Sequence, residues 1–310
     1  MRKLSDYILL YLKGLAMGAT DMIGISGGSV ALVTGLYPEL LQTIQSINKS
    51  NLKLLLSFRI AEFWKNINGN FLSVLLLGVI CSVFYLTKFT SYFFTHYPIL
   101  TLSFFFGLIF ISSMLVLKEI QWRLGTILFF LTGLISGVIF TLVPPTHLPN
   151  NLFFAFGAGA LTSCAILIPG LSGSFILLIT GKYRYIINAF NTFNIPIIVF
   201  FGLGAIAGFF GFARVLSWIL DNYHGTTVAL LAGVMLGSLN KIWPWREITE
   251  YVTDNKGDQV PLFDHSIVPW NYLSVTGKDP LVFQAILMMA LAVFIIVFIE
   301  RVNTRLKTKI

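Results

Sequence analysis

Two short runs of serine and glycine interrupt apolar segments of this 310-residue chain. A helix that begins after such a break directs unpaired N–H groups into it, and the positive end of the helix dipole binds anions. Serine hydroxyls add donors, and glycine lacks the Cβ that would hold a ligand away. We therefore predict that both runs bind an anionic substrate through Ser26, Gly27, Gly28, Ser29, Gly170, Ser172, Gly173 and Ser174.

The two runs belong to a longer repeat. Residues 24–37 align without gaps to residues 170–183, and seven of the fourteen positions are identical. Six of these seven are Gly, Ser, Thr or Tyr, whereas chance similarity between apolar segments mostly matches Leu and Val. The pattern indicates internal duplication. Close helix packing through small residues is an alternative explanation for one run, but two runs at corresponding places favour a binding site.

Three charged residues are candidates to act beside the runs. Asp21 lies in an apolar segment, where an ionisable group suggests a functional role, as a proton carrier or a cation ligand. Its alternative role is to cap a nearby helix. Lys13 is a candidate to neutralise the anion or to pair with Asp21, and Arg214 either binds a phosphate or snorkels to the membrane surface. The four histidines lack metal-site spacing, so no metal or other cofactor is predicted.

The composition places these residues in a membrane. Hydrophobic residues make up 56% of the chain and charged residues 11%, whereas soluble domains have about a quarter charged residues. The apolar runs are continuous rather than alternating, which favours helices over a β-barrel. The predicted fold class is an all-α polytopic integral membrane protein with about six spans besides the runs: residues 71–89, 98–117, 124–143, 195–213, 226–239 and 281–299.

Basic residues lie between the spans, which indicates membrane topology rather than nucleic-acid binding. Arg2 and Lys3 at one end, and four basic residues near the other, place both termini in the cytoplasm. Each half then contains one re-entrant broken-helix hairpin and three crossings, so the second half is an inverted repeat of the first. Lys182 and Arg184 fall near the outer surface against the charge rule, where we expect them to attract an anionic head group.

The boundary between the predicted repeats follows residue 143. The first repeat, residues 1–143, contains a hairpin at 7–37, an amphipathic segment at 38–69 and three helices. The second, residues 144–310, contains a hairpin at 152–187, three helices and an extracytoplasmic loop at 241–280. Discontinuous helices facing each other near the midplane are typical of transporters, in which one repeat rocks against the other.

Three stretches, residues 13–29, 167–178 and 231–245, resemble the polyprenyl-phosphate translocases, the PopT family. The resemblance covers nearly the whole chain. It implies a transporter, not an enzyme, that returns undecaprenyl phosphate from the outer to the inner leaflet of the bacterial cytoplasmic membrane for envelope synthesis. The family's first motif usually carries a proline that is missing here, whereas the second keeps Pro169. The second run is therefore the more secure site.

Two other functions compete with this one. Membrane-embedded undecaprenyl-diphosphate phosphatases carry a Pro-Gly-x-Ser-Arg signature, but Gly173 occupies the place of the arginine here. A small-anion exporter or channel would also use helix ends to bind its substrate. The absence of a nucleotide-binding P-loop argues against ATP as the energy source. H⁺, Na⁺ or the membrane potential acting on the lipid's charge is expected to drive transport.

Overall fold

The computed structural model describes residues 4–21, 26–118, 120–143, 146, 148–253 and 259–307. The side chain of Asp21 lies outside the described part of the chain. The elements in chain order are α1 (Leu4–Asp21), α2 (Gly27–Val33), α3 (Tyr37–Ser46), α4 (Lys49–Leu56), α5 (Ile60–Asn66), α6 (Gly69–Cys81), a π-helical turn (Ser82–Leu86), α7 (Thr87–His96), α8 (Pro98–Lys118), α9 (Leu124–Leu142), α10 (Leu152–Leu167), α11 (Gly173–Ile179), α12 (Tyr183–Asn191), α13 (Ile195–Asn222), α14 (His224–Ser238), a 3-10 turn (Leu239–Ile242), β1 (Arg246–Thr253), β2 (Gln259–Ser266), α15 (Pro269–Thr276) and α16 (Val282–Lys307).

Four helical segments are long and apolar enough to cross a membrane: Pro98–Lys118, Leu124–Leu142, Ile195–Asn222 and His224–Ile242. Three shorter apolar helices accompany them: Gly69–Cys81, Leu152–Leu167 and Val282–Phe298. In α9 the buried residues are Thr126, Gly133 and Gly137, whereas its leucines and phenylalanines are largely exposed. This is the reverse of a water-soluble helix, because lipid covers the large apolar side chains and small residues mediate helix packing. A helical membrane protein is confirmed at this level.

The fold differs from the expected all-α class in one segment. Residues 246–253 and 259–266 form a pair of antiparallel strands, hereafter the β-hairpin, in which Arg246 pairs with Ser266 and the register shifts around Glu250. β1 is rich in β-branched and aromatic residues, which suits a strand. The segment at 38–69 also differs from a single amphipathic stretch, because it forms the three short helices α3, α4 and α5. The chain turns between α4 and α5 at Phe58, whose φ is +55°.

Each half begins with a helical hairpin. In the first, α2 runs back along α1: Gly27 lies against Met17, and the Lys13 ammonium donates to the Thr34 carbonyl over 2.9 Å. In the second, α11 runs back along α10, so that Gly173 lies against Thr162. The returning helices have seven residues each. At 1.5 Å per residue they are about 10 Å long, far too short to cross a bilayer.

The hairpin ends have the same local structure at corresponding positions of the repeat. Gly35 and Gly181 both adopt a left-handed conformation, with φ of +69° and +66°. The threonine hydroxyl before each glycine bonds the carbonyl four residues back, over 2.7 Å in both cases. A new helix then begins two residues later, at Tyr37 and at Tyr183. The identical Thr, Gly and Tyr of the sequence repeat are therefore the residues that build this turn.

The first helix of each hairpin packs parallel to a later helix, α1 along α6 and the π-helical turn that follows it, and α10 along α13. Glycines lie at both contacts, and their missing side chains let the two backbones approach. The facing residues are Gly14 with Leu75 and Gly18 with Ser82 in the first pair, and Gly204 with Phe156 and Gly208 with Ala160 in the second.

Two further pairs join the halves: α9 with α14, which run parallel, and α8 with α16. Each of these pairs combines a helix that precedes residue 143 with one that follows it. The facing residues are Gly133 with Leu230 and Gly137 with Gly237 in the first pair, and Gly107 with Met289 in the second.

Substitution of Gly204 tests this backbone-to-backbone packing. A Cβ at Gly204 would collide with the main chain of Phe156, which cannot move aside as a flexible side chain would. We expect Gly204→Ala to destabilise the protein by roughly 1–3 kcal/mol. Gly202→Ala in the same helix is the matched control, because its Cβ would meet no atom within 4 Å. Thermal unfolding in detergent measures both, and equal melting temperatures for the two variants would contradict the packing.

Candidate functional site

The two serine–glycine runs meet in the interior of the protein. The Ser29 hydroxyl accepts a hydrogen bond from the Gly170 N–H over 2.8 Å. The Ser26 hydroxyl donates to the Ile166 carbonyl over 2.9 Å. The Tyr37 hydroxyl, which is buried, donates to the Leu167 carbonyl. Three side chains of the first hairpin therefore bind the backbone around the second break, where α10 has ended and its carbonyls lack helical partners.

Ser26 and the two glycines beside it are shaped for this contact. Ser26 is fully buried and is the N-cap of α2, where its hydroxyl accepts from the Gly28 N–H over 3.1 Å. A Cβ at Gly28 would lie 3.0 Å from the Ile166 carbonyl oxygen, and one at Gly27 would lie 3.2 Å from that of Met17. The small residues of the first run therefore allow α2 to pack closely against the first helix of each hairpin, α1 and α10.

The second run borders a small cavity. Ser172 is the N-cap residue of α11 but forms no side-chain capping bond, and its hydroxyl instead lies 2.8 Å from that of Ser174. The cavity has a volume of about 20 Å³, enough for one water molecule. Residues from four parts of the fold line it: Ile109, Thr141, Gly170, Leu171, Ser172, Phe175, Ser238, Lys241 and Ile242.

Lys241 brings a positive charge to the second run. It lies in the 3-10 turn after α14, is half-buried, and places its ammonium 5.0 Å from the centre of the Phe175 ring. The turn is fixed by its neighbour Asn240, whose amide donates to the Thr141 hydroxyl over 2.8 Å. Arg246 donates to the Asn240 carbonyl over 2.6 Å, so the β-hairpin holds the other side. An ammonium beside serine hydroxyls is suited to bind a phosphate.

Two of the charged residues predicted from the sequence, Lys13 and Arg214, lie elsewhere. Lys13 donates to Thr34, the C-cap of α2, where a positive charge stabilises the end of a helix. Arg214 is exposed on α13 and lines neither of the two cavities formed by described residues. Ala213, Leu216, Ser217 and Leu220 form the buried face of that helix, which leaves Arg214 outside.

Lys182 does not attract a head group at the surface, and that interpretation is wrong. The side chain is fully buried, and its ammonium donates to the carbonyls of Leu148 and Pro149 and to the Asn150 side chain over 2.5, 2.7 and 2.7 Å. All three N–H groups are therefore used. Lys182 fastens the segment before α10 to the end of the second hairpin.

Among the described residues, no group of three His, Cys, Asp or Glu side chains is placed to hold a metal ion.

The fold and the site together define a helical membrane protein with two broken hairpins that meet in its interior, one of them beside a cation. The model of the undecaprenyl phosphate translocase-like family matches residues 17–260. The chain belongs to this family, as its sequence motifs indicated.

Two relatives carry the same name, polyprenyl-phosphate transporter. The one from Vibrio cholerae serotype O1 is 38% identical over 301 residues, which are 96% of this chain and 98% of the relative. The one from Staphylococcus aureus is 28% identical over 253 residues, 75% of this chain and 85% of the relative. No solved structure matches the chain.

Proposed function

We propose that this protein transports undecaprenyl phosphate, or a closely related polyprenyl phosphate, from the outer to the inner leaflet of the bacterial cytoplasmic membrane. One observation carries the proposal: the second run places Ser172 and Lys241 at a common cavity, directly beside the contact with the first run. A lipid monophosphate needs a cation and hydroxyl donors for its head. The names of the two relatives support the same substrate.

The proposed topology has six crossings and two re-entrant hairpins, with both termini in the cytoplasm. The parallel α9–α14 pair supports it, because alternating crossings make both of these helices run outward. Lys241 and the β-hairpin then lie on the outer side. Trp243 and Trp245 follow Ile242 of this cavity and pack edge-to-face with their ring centres 5.3 Å apart, and aromatic residues of this kind are enriched at membrane surfaces.

In the proposed mechanism, the phosphate first binds at Lys241 and Ser172 while the prenyl tail remains in lipid. The cavity of about 20 Å³ must widen to admit a head group. Widening separates the second hairpin from its neighbours and breaks the hydrogen bonds that Ser26 and Ser29 make to it. Those two hydroxyls then become available to the phosphate. Asp21 remains our candidate for coupling to H⁺ or Na⁺.

The two competing functions make different demands. A phosphatase needs a phosphate clamp and a general base, and Gly173 occupies the place of its signature arginine. Both relatives are named transporters rather than enzymes. A small-anion channel would need no route for a lipid tail, so transport of a soluble anion without movement of lipid would distinguish it.

The decisive experiment uses purified protein in liposomes that contain undecaprenyl phosphate in both leaflets. A soluble phosphatase added outside hydrolyses only the lipid phosphate that reaches the outer surface. We expect the protein to make the inner-leaflet pool accessible with time, whereas empty liposomes keep it protected. An inner pool that stays protected would refute the proposal. Passage of phosphate or chloride ions instead would identify a channel, and release of phosphate from the diphosphate lipid by the protein alone would identify a phosphatase.

A further inference from the structure

A second, much larger cavity lies at the other end of the α9–α14 pair. Its volume is about 680 Å³, within the usual range of small-molecule sites. Three connecting segments surround it: the one between α8 and α9, the one between α13 and α14, and the turn between α2 and α3. The first hairpin contributes Leu32 and Gly35 to its wall, so each hairpin borders one cavity.

The polar lining of this cavity favours an anion. It contains Gln121, Arg123, Thr126, Asn222, His224 and Thr226, and none of its described lining residues is acidic. Within the described part of the chain, the Arg123 guanidinium makes one hydrogen bond, to the Gln121 side chain over 3.3 Å, and the residue is exposed. A planar guanidinium with unused N–H groups is the side chain best suited to bind a phosphate in two places at once.

Two helices begin at this cavity and end at the other one. α9 starts after Arg123 and reaches Thr141 at the Lys241 cavity. α14 starts at His224 and continues through the 3-10 turn to Lys241 itself. α9 has 19 residues and is about 28 Å long, close to the roughly 30 Å thickness of a bilayer's hydrocarbon core. A cation therefore lies near each end of one membrane-spanning pair.

We infer that the Arg123–His224 cavity is a second binding site for the monophosphate head of a polyprenyl lipid, from which it is released on the side opposite Lys241. This inference rests on the proposed function, since the second site would receive the phosphate at the other end of the same transport path. Arg123 provides the charge, and His224 and Thr226 provide donors at the start of α14, whose positive end faces the cavity. The cavity is wide while the Lys241 cavity is nearly closed, so the structure holds the release side open.

The test labels a single cysteine in the cavity. Thr226→Cys is made in a Cys81→Ser, Cys164→Ser background, and a membrane-impermeant maleimide is added to inverted or right-side-out vesicles. We expect labelling from the cytoplasmic side, and about tenfold slower labelling when farnesyl phosphate is present at about ten times its Kd, because an occupied site shields the cysteine. Farnesol, which lacks the phosphate, should not protect. Ser57→Cys, which is exposed on the same predicted side, should be labelled without protection.

Arg123→Gln and His224→Gln together should abolish the protection and slow translocation in liposomes, whereas the surface variant Arg59→Gln should change neither. Equal labelling rates with and without farnesyl phosphate would overturn the inference, as would equal protection by farnesol or labelling from the outer side. Translocation by the unmodified protein distinguishes failure of the second site from failure of the proposed function. If it occurs while the double variant behaves like the control, only the second site is refuted; if it fails, the proposed function itself is wrong.

Discussion

Replacing Lys241 by glutamine is expected to slow the translocation of undecaprenyl phosphate in liposomes at least about tenfold. The ammonium is the cation that lines the Ser172 cavity, and loss of a hydrogen bond to a charged group weakens binding by roughly 1.5–3 kcal/mol. Glutamine keeps much of the length and polarity of the side chain, so the change removes mainly the charge. Lys241→Arg should recover part of the activity, because it restores the charge with a different shape.

The control for this experiment is Lys278→Gln. Lys278 is exposed after α15, on the same proposed side of the membrane, and lines neither cavity. Its replacement changes the net charge equally but should leave the rate unchanged. A Lys241→Gln protein that is folded and as fast as the Lys278→Gln protein would remove Lys241 from the binding site.

Replacing Gly170 by alanine is expected to impair both folding and transport. Gly170 has a φ of +89°, which L-residues rarely adopt, and a Cβ there would lie 2.9 Å from the Met235 Cα and 2.7 Å from the Ser238 hydroxyl. The backbone strain alone costs roughly 1–3 kcal/mol. The displaced N–H would also lose its hydrogen bond to Ser29. We therefore expect a melting temperature lower by several degrees and a slower flux per folded molecule.

The matched control for Gly170 is Gly157, which lies in α10 and whose Cβ would meet no atom within 4 Å. Gly157→Ala should be neutral or slightly stabilising, because alanine favours a helix more than glycine does. Tryptophan fluorescence on heating reports stability, and the liposome assay reports flux. A Gly170→Ala protein with the stability and flux of Gly157→Ala would show that the tight turn at the second break is dispensable.

The sequence was sufficient for the features that depend on local pattern. Continuous apolar runs predicted helices, and the aligned runs predicted a repeat, whose Thr-Gly-x-Tyr residues form equivalent turns in the structure with a left-handed glycine at each. The meeting of the two runs also followed from the repeat. The strands at 246–253 and 259–266 had a local signal in the β-branched and aromatic residues of the first strand, which the interpretation of 241–280 as a loop did not use.

The positions of Lys241 and Lys182 could not be predicted from the local sequence. Lys241 follows the apolar span 226–239, so the pattern assigned it to a loop, and only the docking of the second hairpin on α14 brings it to Ser172. One signal was present: Lys241 is the only charged residue in the family-like stretch 231–245. The burial of Lys182 depends on three acceptors in a distant loop segment, which no local pattern encodes.

The close glycine contacts between the two halves bear on which parts of the protein we expect to move during transport. α9 of the first half is joined to α14 of the second, and α8 to α16, with main chain against main chain. No side chain lies between Gly137 and Gly237. A change of rotamer therefore cannot let α9 slide along α14. Because these backbones are in direct contact, we expect α8, α9, α14 and α16 to stay together during transport. We expect the two hairpins, whose returning helices have only seven residues, to move instead.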